Sequence, residues 1–197
     1  MSSKAKRKTS DPQTKEFDEK WKNPIKKPFL EKVVLNIGVG AGGEELEKAV
    51  NVLEQITGKR PVKTISKVNV KEFNLRMGRP IGCKITIRGK KAEQLLKRLL
   101  IVNNNKMLRT SFDNFGNFAF GIDEHIKIPQ TEYEASVGLW GLDVCGRIAR
   151  PGMRVKYRRK ARAKIPAHHY VSRAEAQYFL KQNFGVDIVK KLDLEYI

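Results

Sequence analysis

A chain of 197 residues has room for one domain with a sizeable core and is short for two. Its 40 Lys and Arg against 21 Asp and Glu give a formal net charge of +19, an excess that only adds self-repulsion without a polyanionic partner, so nucleic acid leads the candidates. No apolar run is long enough to span a bilayer and no apolar core follows the basic N-terminus as a secretory signal requires; Cys83 and Cys145 are too few and too far apart for a disulfide framework or a zinc site, which fits a reducing cytosolic setting.

Residues 1 to about 28 are polar, mixed in charge and punctuated by Pro12, Pro24 and Pro28, so they are expected to form a flexible basic tail with Trp21 as its anchor. The ordered domain, 29–197, opens with KVVLNIGVG at 32–40. There Val33, Leu35, Ile37 and Val39 alternate with Lys32, Val34, Asn36 and Gly38, a strand with Asn36 opposite the apolar set. GEELEKAVNVLEQITG predicts a helix, with Glu44 and Glu45 in the first turn and Gly58 at the C-terminal cap. IGCKITIR at 81–88 predicts a second strand, Ile81, Cys83, Ile85 and Ile87 facing one way and Gly82, Lys84, Thr86 and Arg88 the other. AEQLLKRLLIV predicts another amphipathic helix, and Ser172 with Glu175 predicts a capping box opening a third, closed by Gly185. Together these predict an α+β fold: a mostly antiparallel sheet with helices packed on one face and Asn36, Lys84, Thr86 and Arg88 on the other.

GVGAGG at 38–43 satisfies G-x-G-x-x-G between a strand and a helix. Glu44 and Glu45 would set negative charge beside a bound phosphate, and no acid between Glu54 and Glu72 is placed to meet a ribose, so a plain turn is the better reading. Asp123, Glu124 and His125 are adjacent without a partner motif, and His168 and His169 lie in a basic stretch suited to phosphate contact or solvation. No enzyme, cofactor or metal is expected.

The basic segments say more. Between Val144 and Ala174 ten cations occur without one acid, namely Arg147, Arg150, Arg154, Lys156, Arg158, Arg159, Lys160, Arg162, Lys164 and Arg173, and 147–173 therefore reads as a basic arm inserted before the last helix. A second cluster, Arg60 to Lys91, interleaves ten cations with strand-forming residues and one acid, which favours shape recognition of folded RNA. SFDNFGNFAF at 111–120 holds four phenylalanines; Phe118 and Phe120 share a strand face, the flanking charges are acidic, and the rings are expected to be mainly structural.

KVVLNIGVG, LEQITGKRPVKTISK (53–67), FNLRMGRPIGCKITIRG (73–89) and SFDNFGNFAFGIDEHI (111–126) resemble, in order, the signature blocks of the universal large-subunit ribosomal proteins that bind 5S rRNA, the "L five" family of bacteria and archaea and "L eleven" of eukaryotes. GLDVCGRIARPGMRV, the basic arm and a terminal FGVDIV resemble the archaeal and eukaryotic branch. The resemblance implies a component of the cytoplasmic ribosome's central protuberance that attaches 5S rRNA, touches large-subunit rRNA and neighbouring proteins, lies near P-site tRNA and bridges to a small-subunit head protein. It implies 5S rRNA contacts at Asn36 and Thr86; Lys84 and Arg88 share their predicted face, and Arg60, Lys63 and Lys67 are expected to contact phosphates. Lys59 stands where the family often has glutamine, which turns an amide contact into a phosphate contact. FNLRMGRPIG resembles the tRNA-facing loop and nominates Arg76 and Arg79; the arm cations Arg150, Arg154, Lys156, Arg158, Arg159, Lys160, Arg162 and Lys164 are the candidates for large-subunit rRNA. Two rivals stay open: a general nucleic-acid-binding protein, which would bind duplex DNA equally well, and a nucleotide-dependent enzyme built on the glycine turn.

Overall fold

The alternation around Asn36 makes β1 (Phe29–Gly38) the central strand of the molecule. The computed structural model describes residues 12–40, 42–131 and 137–190. Its main sheet has five strands in the order β2 (Val62–Ile65), β3 (Pro80–Ile87), β1, β6 (Leu142–Ala149) and β5 (Asn117–Ile122), and every pairing in it is antiparallel. A separate parallel pair joins β4 (Lys106–Leu108) to β7 (Asp187–Val189). In the main sheet Leu35 stands opposite Ile85 and Val144, while Asn36 stands opposite Lys84 and Asp143. Since side chains alternate across a strand, that register gathers Val33, Leu35, Ile37, Cys83, Ile85 and Val144 on one buried face and leaves the polar set on the other.

Helices α2 (Glu44–Thr57) and α3 (Lys90–Val102) cover the apolar face, contacting β3 and β1 respectively, and bury Leu46, Leu53 and Ile56 with Leu95, Leu96 and Leu99. Gly58 ends α2 at φ 66°, a left-handed cap in which its N–H donates to the Glu54 carbonyl. In α5 (Arg173–Phe184) the Ser172 hydroxyl accepts the Glu175 N–H at 3.3 Å, and Gly185 closes the helix at φ 67°. Only that half of the expected capping box forms. The Glu175 carboxylate turns inward instead, accepting two hydrogen bonds from Arg150 at 2.8 and 2.6 Å and one from the Trp21 indole at 3.0 Å.

The N-terminal stretch differs from the expected tail. Residues 12–21 form α1 (Pro12–Trp21), whose Phe17 and Trp21 lie one turn apart and meet α5. The Trp21 ring lies 5.2 Å from that of Tyr178 and 6.2 Å from that of Phe179, and the Tyr178 hydroxyl donates to Asp18 at 2.8 Å. A ten-residue helix is too short to persist by propensity, so its stability comes from this docking, with Trp21 as the anchor expected from the sequence and Phe17 and Asp18 as unannounced contacts. Residues 22–28 run through turns into β1, and residues 1–11 of the expected tail lie outside the described residues.

Three of the four phenylalanines in the 111–120 stretch belong to the core. Phe112 and Phe118 are buried with ring centroids 6.2 Å apart, and Phe120 is half-buried against the same cluster. The tip of the Phe118 ring packs against its cross-strand neighbour Gly146, where an added Cβ would come 2.0 Å from Cζ. Phe115 departs from the expectation and is 58% exposed.

His125, in the adjacent Asp-Glu-His triplet, is structural. Its ring is buried and Nδ1 accepts the Trp140 N–H at 3.2 Å, while the His125 N–H donates to the Trp140 carbonyl at 2.9 Å. Burial pushes the imidazole pKa below its ordinary value. A depressed native pKa means that the unfolded chain binds the proton first, so this contribution to stability is complete above about pH 6.5 and declines as pH falls below it. Urea midpoints measured between pH 7.5 and 5.5 should therefore fall for the wild type, and fall less for His125→Phe.

Candidate nucleic-acid interface

The outer face of the main sheet is built from alternate residues of four strands. β1 supplies Lys32, Val34 and Asn36; β3 supplies Lys84 and Thr86; β6 supplies Asp143, Cys145 and Arg147; β5 supplies Asn117 and Ala119. Asn36 lies directly between Lys84 and Asp143, and Val34 between Thr86 and Cys145. Lys84 and Thr86 are exposed, and Asn36 is half-buried among them. The predicted trio of Asn36, Lys84 and Thr86 is thus contiguous.

Arg88 closes the trio's strand and forms a 3.4 Å ion pair with Glu31. Glu31 also faces Arg147 at 3.0 Å, off the hydrogen-bonding direction, so that contact is Coulombic. Arg147 donates to the Tyr157 hydroxyl at 2.8 Å; burial opposes its charge, but Tyr157 and Glu31 outweigh it and its pKa is raised. The sequence reading grouped Lys32 with Asn36 without naming it as a contact, and it left Arg147 and Asn117 off this face. The signal was present in the Leu142, Val144, Gly146, Ile148 alternation, which identifies β6 and puts Arg147 on the polar side.

Lys63 does not join the trio. It stands opposite Cys83, whose side chain is in the core, so Lys63 points to the helix side and ion-pairs with Glu47 of α2. Lys59 and Arg60 are exposed in the turn after α2, and Lys67 is exposed just beyond β2. Arg76 and Arg79 are exposed in a projecting loop spanning 66–79. That loop is pinned at its base by Ser66 N–H to Arg79 O at 2.8 Å and Gly78 N–H to Ser66 O at 2.9 Å, and the Met77 N–H donates to the Asn69 side chain at 2.7 Å. It displays Phe73 at 71% and Met77 at 67% exposure, two apolar side chains that a charge-based reading overlooks.

Of the predicted arm cations, Arg154, Lys156, Arg158, Arg159, Lys160, Arg162 and Lys164 are exposed, beginning in the short helix α4 (Arg154–Tyr157). The arm folds back on itself through Ala163 N–H to Val155 O at 3.3 Å and Arg158 Nε to Ala161 O at 2.7 Å. Arg150 is placed otherwise: it is buried, clamped on Glu175 and donating to the His168 carbonyl at 3.0 Å, where no phosphate reaches it without breaking the pair. His169 caps the Pro151 carbonyl at 2.8 Å.

The glycine turn is occupied by its own backbone. The Val39 and Gly40 N–H groups both donate to the Ile81 carbonyl, at 3.1 and 2.9 Å, and Glu44, Glu45 and Glu47 fill the first turn of α2. Among the described residues no group of three or more His, Cys, Asp and Glu side chains is arranged to hold a metal, and no helix is long and apolar enough to cross a membrane.

An exposed sheet face bearing amide, hydroxyl and cationic groups, flanked by a basic loop and a basic arm, defines a class of α+β protein suited to folded polyanions. Residues 23–76 match the family model described as Ribosomal protein L5, and residues 80–179 match the model of that ribosomal family's C-terminus. The chain is 50% identical over 169 residues to the large ribosomal subunit protein uL5 of Sulfurisphaera tokodaii, covering 85% of this chain and 96% of that protein. It is 44% identical over 166 residues to uL5 of Pyrobaculum aerophilum, covering 84% and 93%, and 44% identical over 176 residues to uL5 of Methanococcus aeolicus, covering 87% and 97%. The chain belongs to the ribosomal protein L5 family.

Proposed function

We propose that this protein is a non-enzymatic component of the large subunit of the cytoplasmic ribosome that binds 5S rRNA on the outer sheet face and helps to attach it in the central protuberance. The observation that supports this reading is the contiguity of Asn36, Lys84 and Thr86 on one sheet face, with Lys84 and Thr86 exposed and Asn36 half-buried. Asn36 and Thr86 offer directional hydrogen bonds to 2′-hydroxyls and base edges, while Lys84, Lys59, Arg60 and Lys67 neutralise phosphates. The arm cations beyond Met153 serve large-subunit rRNA. The 66–79 loop, with Arg76 and Arg79, faces P-site tRNA, and neighbouring protuberance proteins and a small-subunit head protein complete the contacts.

Replacing Asn36 or Thr86 by alanine should weaken 5S rRNA binding at an unchanged salt slope, whereas losing Arg60 or Lys67 should flatten the slope by about one unit per phosphate contact. Lys63, turned toward Glu47, should have little effect. A native cysteine reports the same face. Cys145 is exposed beside Val34 and Ala119, whereas Cys83 is buried with its thiol pKa pushed up to about 11; burial and then Asp143 also raise the Cys145 pKa, so access decides reactivity. Alkylation under native conditions should label Cys145 alone, and saturating 5S rRNA should protect it. Labelling at the same rate with 5S rRNA bound would place the RNA elsewhere and defeat the reading.

A further inference from the structure

We propose that Phe115 is a base-stacking site, which takes an unpaired nucleobase of a bound RNA on its exposed ring while the adjacent arm cations hold the flanking phosphates. This inference rests on the RNA-binding reading above and adds a site away from the Asn36 trio.

The turn that carries Phe115 is rigid. One Asp113 carboxylate oxygen accepts both the Phe115 N–H at 2.8 Å and the Asn117 N–H at 2.7 Å, and the Asn117 side chain donates to the other oxygen. Gly116 follows at φ 78°, with its carbonyl accepting the Ile148 N–H at 2.8 Å; a Cβ there would meet Ile148 O at 2.7 Å and Val171 Cβ at 2.9 Å. The backbone is therefore locked against the core on one side while the ring, 58% exposed, is held out on the other. A turn this well satisfied has no local need for a phenylalanine at its tip, and exposing one loses the stabilisation that burial would give.

The ring's surroundings select the ligand. Phe115 meets Tyr170 edge to face, centroids 5.5 Å apart, and the Tyr170 hydroxyl accepts a hydrogen bond from Lys156 Nζ at 3.1 Å. The same ammonium lies 5.5 Å from the Tyr170 ring centre and 5.8 Å from that of Tyr157, which is 52% exposed and carries the Arg147 guanidinium on its ring at 5.8 Å. Exposed aromatic rings interleaved with cations are the arrangement that binds unpaired nucleotides, since every base has a π-face and every linkage a negative charge. Two acids lie near the cluster, and both are engaged: Asp113 accepts the Phe115 and Asn117 N–H groups and the Asn117 side chain, and Glu31 is ion-paired with Arg147 and Arg88. A protein partner docking through Phe115 would need to bring its own acidic surface to this stretch, where no acid occurs between Val144 and Ala174.

The test compares the full chain with Phe115→Ala and Phe115→Trp on two probes, a hairpin RNA with an unpaired adenine-rich loop and a blunt duplex of the hairpin's stem. Phe115→Ala should bind the hairpin about five- to a hundredfold more weakly at an unchanged salt slope, and the duplex as the wild type does; Phe115→Trp should retain hairpin binding. Matched thermal melts for the three proteins exclude a folding effect, and if Phe115→Ala melts early, Phe115→Leu takes its place. Hairpin binding by Phe115→Ala equal to wild type, or equal losses on both probes, overturns the stacking site while leaving the RNA reading intact. Failure of the wild type to bind the hairpin while it still binds 5S rRNA overturns the stacking site alone; failure on 5S rRNA as well overturns both. Loss of a ribosomal protein contact with no change in hairpin binding would assign Phe115 to a protein partner instead.

Discussion

Glu175→Gln should destabilise the protein by about 3–5 kcal/mol, because it removes one charge from a buried pair and leaves Arg150 uncompensated. The Arg150 and Glu175 side chains are only 9% and 3% exposed, so water cannot take over the missing partner. The carboxylate also ties three parts of the chain together: it begins α5, accepts the Trp21 indole from α1, and holds Arg150 just after β6. Against a typical total of about 5–15 kcal/mol, the loss is a large fraction of all stability. It should appear as a lower urea midpoint at an unchanged m-value, with the α1 contacts loosened first. The double variant Arg150→Met with Glu175→Leu should recover most of the loss, since apolar residues of similar size carry no unpaired charge.

Converting Arg158, Arg159, Lys160, Arg162 and Lys164 together to glutamine should weaken binding to large-subunit rRNA on the order of a thousandfold at physiological salt and reduce the salt slope by about four units. All five are exposed and none forms an ion pair among the described residues, so the melting temperature should stay within a few degrees of wild type. Binding of 5S rRNA should fall far less, because the Asn36 trio is untouched. Filter binding across a salt series separates the two RNAs. Equal losses on both would merge the arm and the sheet face into one binding site.

The sheet face was legible in the sequence because a period of two over Val33 to Gly38 and again over Ile81 to Arg88 leaves little choice about which side chains share a side. The helix over 44–57 was legible because its acids, apolar spacing and Gly58 all agree. What escaped depends on partners distant in the chain. Arg150 reads as one more arm cation until Glu175, 25 residues on, draws it into the core. Glu175 reads as half of a capping box until Trp21 and Arg150 claim its oxygens. Lys63 reads as part of a basic cluster until the β2 register turns it toward Glu47. Phe115 shares its composition with three core rings, and only the Asp113 turn sends it outward. For Arg150, Glu175 and Lys63 a tertiary contact overrides the role that local pattern suggests, whereas for Phe115 the local Asp113 turn does so.

The most direct test of the central claim is competition binding of the full chain to 5S rRNA against equal amounts of tRNA and duplex DNA over a salt series. The proposed function predicts a preference for 5S rRNA that persists at higher salt and disappears in Asn36→Ala and Thr86→Ala, because directional contacts survive when counterion release is suppressed. Equal binding to all three nucleic acids, vanishing together as salt rises, would contradict it.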